Sequence, residues 1–79
     1  MSKDMQKINP AKLSLSKLIA EIKHGEEVVV EELSNDVRFV FRGICQSMTW
    51  IGTWAYFNDY SIDVIPHGSH VIVKLTKLD

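Results

Sequence analysis

The feature that most limits the folds open to this chain is the shortness of the links between its β-like segments. Glu26–Leu33, β-branched at Val28, Val29 and Val30, is followed by Val37–Arg42 after only Ser34-Asn35-Asp36. Near the end, Tyr60–Ile65 is joined to Val71–Thr76 by Pro66-His67-Gly68-Ser69. Both links are turn chemistry, and links this short connect neighbouring antiparallel strands; a parallel pair needs a crossover of about a dozen residues or more. Two β-hairpins are therefore expected.

Alternation assigns the faces. Val37, Phe39 and Phe41 point one way and Arg38, Val40 and Arg42 the other. In the second hairpin Tyr60, Ile62 and Val64 alternate with Ser61, Asp63 and Ile65, and Val71, Val73 and Leu75 with Ile72, Lys74 and Thr76. Ahead of the hairpins, Leu15, Leu18, Ile19 and Ile22 recur at helical spacing. A helix over residues 10–24 is expected, with Asn9 as N-cap, Pro10 as first helical residue and Gly25 in the left-handed position beyond its end; Ser14 is a competing cap five residues after Asn9 if the start slips. Gly43 closes the second strand. In Ile44–Tyr60, a short helical turn around Ile44, Met48 and Ile51 is broken by Gly52 and followed by a strand Thr53–Phe57, with Asn58-Asp59 as a turn. The resulting expectation is an α+β fold: one N-terminal amphipathic helix packed on a four- to five-stranded antiparallel sheet. Residues 1–8 read as a flexible N-terminal tail and 9–79 as a single domain. Val29, Val40, Ile65 and Ile72 fall on the sheet face away from the helix, a patch for a partner if nothing in the chain covers it.

Composition bounds the function classes. The 79 residues carry a net charge of −1, with 46% hydrophobic residues, an ordinary globular balance. That balance excludes a strongly basic nucleic-acid binder and an acidic nucleic-acid mimic. Cys45 is the single cysteine, so an intramolecular disulfide framework is excluded. No apolar run has the length of a membrane span and the first residues lack an apolar signal core, so a cytoplasmic protein without a membrane partner is expected. A core this small often needs a disulfide, a metal or a second subunit, which makes a homodimer an expectation too.

The charge is segregated: residues 1–24 sum to +3, 25–36 to −5 and 37–79 to +1. A basic helix beside an acidic strand suits electrostatic docking. Catalytic constellations do not assemble. Cys45 with His24, His67 or His70 has no nucleophile–base spacing, Asp59 and Asp63 flank a turn, and His67 with His70 falls short of a closed four-ligand zinc site, a third ligand from Cys45 or Asp63 being conceivable but Pro66-His67-Gly68-Ser69 being accounted for as turn chemistry. The four glycines are isolated, so no phosphate loop is present. The expectation is a non-enzyme without cofactor or metal.

The densest feature is aromatic. Trp50, Trp54, Tyr56, Phe57 and Tyr60 lie within eleven residues. Such residues concentrate at interface hot spots, and a strand at Thr53–Phe57 turns Phe57 inward and Trp54 with Tyr56 outward. The expected partner contacts are Trp50, Trp54, Tyr56, Tyr60, Glu31 and Glu32. Direct nucleic-acid binding is the weaker expectation, because residues 43–73 contain no Lys or Arg. It would rest on Lys12, Lys17 and Lys23.

Ile8–Val40 resembles the N-terminal half of the Phd/YefM antitoxins, through Leu15-Ser16-Lys17-Leu18-Ile19 and Gly25-Glu26-Glu27-Val28. The resemblance implies a dimeric DNA-binding regulator. The chain departs from that pattern in the acidic Glu31–Asp36, where the family has a basic hairpin turn, and in the β-rich aromatic residues 43–76, where it has a helical toxin-binding tail. The leading expectation is a small regulatory or inhibitor protein of the kind phages and mobile elements use, blocking a larger host protein. A dimeric transcriptional regulator comes second, and a small ligand in an aromatic pocket third.

Overall fold

The computed structural model describes residues 9–78; the tail assigned to residues 1–8 lies outside them. A short 3-10 turn, Pro10–Lys12, precedes helix α1 (Leu15–Gly25), strands β1 (Val28–Glu32) and β2 (Asp36–Phe41), helix α2 (Gln46–Phe57), and strands β3 (Tyr60–His67) and β4 (His70–Lys77). The strands form one antiparallel sheet in the order β1-β2-β4-β3. The fold is α+β, with a sheet of four strands and with a second helix in mid-chain.

Both caps proposed for the first helix are used. Asn9 Oδ1 accepts from the Ala11 amide at 3.0 Å and starts the 3-10 turn. Leu13 is extended and breaks it, and Ser14 Oγ then accepts from the Lys17 amide at 3.3 Å and starts α1. The expected helix from residue 10 is thus two pieces, because two good caps lie within five residues and each satisfies its own free amides. Gly25 is the last residue of α1, not a left-handed residue beyond it; Glu26, extended, closes the helix with its amide on the Ile22 carbonyl.

The hairpins stand where alternation places them, with shorter turns. The Leu33 amide donates to the Asp36 carbonyl at 2.8 Å, leaving Ser34-Asn35 as the first link. Gly68-Ser69 is the second, with Gly68 at φ 63° as the first central residue. Pro66 and His67 therefore belong to β3 rather than to the turn. Pro66 is tolerated there because β3 is an edge strand.

The larger correction is at Thr53–Phe57. It is the second half of α2, and Gly52 sits inside the helix rather than ending it. A Cβ at Gly52 would meet only Ile62 Cδ1, at 3.9 Å. Ile51, Trp54 and Ala55 face the sheet. Asn58 caps the C-terminus, and Asp59 turns the chain into β3 with φ 59°.

Both helices lie on one side of the sheet. Leu18, Ile19 and Ile22 of α1 and Ile51, Trp54 and Ala55 of α2 bury against Val37, Phe39, Phe41, Val73 and Leu75. Every buried sheet residue belongs to the inward set of the alternation. The Phe39 and Phe41 rings stack at 6.3 Å at the centre of this core.

Candidate interaction surface

Among the described residues nothing is layered over the opposite face of the sheet. Its side chains run along β1 from Glu27 to Leu33 and along β2 from Asp36 to Arg42. On the other two strands they run from Ser61 to His67 and from His70 to Thr76. None of them is buried. The strand register arranges them in rows. Val29, Val40, Ile72 and Ile65 are consecutive cross-strand neighbours and make one apolar row across all four strands. Val29 is 62% and Ile65 42% exposed. Val40 and Ile72, between them, are half-buried by adjacent side chains.

Charged rows flank this ridge. On one side Glu31, Arg38, Lys74 and Asp63 are cross-strand neighbours. On the other, Arg42 Nε lies 3.8 Å from Glu27 Oε1, and His70 faces His67. Between the ridge and the Glu27–Arg42 pair is a hollow of about 250 Å³ lined in part by Val29, Val40 and His70. Lys74 Nζ reaches Asp36 Oδ2 at 3.8 Å. Arg38 has no ion-pair partner among the described residues, and its Nε–H is buried without an acceptor. Arg38, Arg42 and Lys74 were not among the expected contacts. The signal for them was present, since alternation puts Arg38 and Arg42 on the same side as Val40.

The expected aromatic contacts are split by α2. Trp54 is 3% exposed and belongs to the core. Its Nε1–H donates to the Leu13 carbonyl at 2.8 Å, and its ring lies 4.8 Å from that of half-buried Tyr60. The outward Trp54 and inward Phe57 read from strand alternation are both reversed by helical phase. Phe57 is 64% exposed and Tyr56 80%, and their rings meet edge to face at 5.1 Å. Trp50 is half-buried and lines a groove of about 290 Å³ between the end of α1 and the start of α2. Glu31 and Glu32 are both exposed on β1, but only Glu31 belongs to the uncovered face.

Lys12, Lys17 and Lys23 are exposed, and none is ion-paired among the described residues. Among those residues no group of three or more His, Cys, Asp or Glu is placed to hold a metal ion, and no helix is long and apolar enough to cross a membrane. Cys45 precedes α2, half-buried against the core. No protein-family model, curated protein or solved structure matches this chain.

Proposed function

We propose that this protein is a small non-enzymatic regulator or inhibitor that works by covering a site on another protein, and that the uncovered sheet face makes the contact. The observation that carries the reading is the Val29–Val40–Ile72–Ile65 row. A sheet face left open to water ordinarily carries polar side chains, and a continuous β-branched row across every strand is an apolar strip that no described residue covers. Its flanking charged rows resemble the polar rim of an interface around an apolar centre. Full burial of one such side chain stabilises an interface by roughly 1.5–3 kcal/mol, and the exposed half of Val29 is available for that gain. Tyr56 and Phe57 form a separate exposed pair at the end of α2, and the contact expected for Tyr56 would have to be made there.

The test is affinity capture from host lysate with tagged wild-type protein and with a Val40→Thr/Ile72→Thr variant, each with and without nuclease. Threonine keeps the β-branched shape while adding a hydroxyl, so the strands should persist. A stoichiometric protein captured by the wild type, resistant to nuclease and lost with the variant is the expected result. Capture that depends on nucleic acid and on Lys12, Lys17 and Lys23 would replace this reading with the DNA-binding one, for which the exposure of these three lysines is the supporting observation.

A further inference from the structure

Resting on that reading, we infer that the occupant of the sheet face is a different protein whose contact surface sets carboxylates against the two central strands, and that a second copy of this chain is excluded. The face is large enough for either: the molecule measures 33 × 32 × 16 Å, so its broad side exceeds the about 800 Å² per partner of an ordinary stable interface. Charge decides between them.

Across the strands the signs of Glu31, Arg38, Lys74 and Asp63 run acid, base, base, acid. That order reads the same from either edge. A two-fold axis parallel to the strands would stack β1 of one copy over β3 of the other and β2 over β4. Glu31 would then face Asp63, and Arg38 would face Lys74. An axis along the apolar row would instead bring Glu31 over Glu27 and Arg38 over Arg42. The first stacking sets like charge on like charge along the whole row; the second does so on β1 and β2 and leaves Lys74 over His70 and Asp63 over His67; two-fold pairing is the usual route to a homodimer.

The same pattern specifies the complement. On the central strands, where docking removes water and weakens screening, Arg38, Arg42 and Lys74 stand against one carboxylate, Asp36, which Lys74 pairs; Glu27, Glu31 and Asp63 stand at the edge strands, where charges stay screened. The central cations therefore dominate. Arg38 adds an independent indication, because it is half-buried and short of acceptors, and an incoming carboxylate supplies acceptors to its outer N–H groups. A nucleic-acid backbone fits less well. It would lie across the carboxylates of both edge strands, find no aromatic ring to stack on, and leave the apolar ridge unused.

Two measurements test this. Sedimentation of the wild-type chain over a wide concentration range should give a monomer. A dimer abolished by Val40→Thr/Ile72→Thr would make the second copy the occupant and overturn the inference. Display selection of random peptides on the wild-type protein, with counter-selection on that same variant, should enrich sequences in which Asp and Glu beside aliphatic residues outnumber Lys and Arg at least tenfold. Binding of a selected peptide should weaken at least tenfold in Arg38→Gln/Arg42→Gln, with the circular dichroism of the variant unchanged. Enrichment of neutral or basic peptides would overturn the charge inference and leave the docking face standing. Enrichment indifferent to Val40 and Ile72, or none, would remove the face and with it the proposed function. A single-stranded 20-mer oligonucleotide that binds the wild type and loses binding in Arg38→Gln/Arg42→Gln would put a phosphate backbone in the partner's place.

Discussion

Trp54 shows how much one side chain can hold. Its ring fills the space between α2 and the sheet, and its indole N–H satisfies the carbonyl of Leu13 where the chain passes from the 3-10 turn to α1. Asn58, one turn later, donates from Nδ2 to the carbonyls of Ala11 and Trp54 at 3.0 and 2.9 Å. Together they fasten residues 11–13 onto α2. Trp54→Phe keeps most of the apolar volume but leaves the Leu13 carbonyl without its donor, and should cost about 1–3 kcal/mol in urea denaturation. Trp54→Ala adds a cavity and should cost about 3–5 kcal/mol, enough to unfold a domain of this size in circular dichroism. Asp59 is the opposite case. Its φ of 59° is left-handed, a conformation that costs an L-residue roughly 1–2 kcal/mol and glycine little. Asp59→Gly should raise the unfolding free energy in urea denaturation, by less than that amount because glycine also loosens the unfolded chain.

Among the elements, α1 and the hairpins were legible and α2 was not, for identifiable reasons. Each hairpin strand alternates, and one face of each central strand is buried, so a period of two survives in the sequence. α2 has no charged residue to mark a solvent side, and its outward Tyr56 and Phe57 are as apolar as its inward residues, so its stripe has little contrast. Its Cys45 cap makes no side-chain hydrogen bond, and Thr, Trp, Tyr and Phe all favour strands in isolation. Tertiary packing overrides that preference. The uncovered row of the sheet was legible for the same reason the hairpins were, whereas the place of Trp54 required the helical phase. Two substitutions test this account by urea denaturation. Gly52→Ala should stabilise by about 0.5–1 kcal/mol, since its Cβ meets Ile62 Cδ1 at an ordinary 3.9 Å and alanine favours helix. Ser14→Ala should destabilise by about 1 kcal/mol, because the cap it removes is the one that starts the long helix.

At the scale of the whole molecule, two helices cover one side of a sheet, and no described residue covers the other. The core and the candidate surface are therefore the two faces of the same strands. Substitutions at Val40 or Ile72 should change binding with little loss of stability, and substitutions at Phe39 or Val73, one residue along the same strands, should do the reverse. Paired denaturation and capture measurements on these variants would show whether the two faces separate in this way.

The fastening of residues 11–13 to α2 has a practical side. The Leu78 amide donates to the Asp59 carbonyl at 3.0 Å, beside the Asn58 that holds Ala11. The first and last described segments thus lie at one corner, at the start of β3. A tether or a fused reporter attached beside Leu78 would hang from that corner, and the ridge from Val29 to Ile65 would stay presented to whatever flows past.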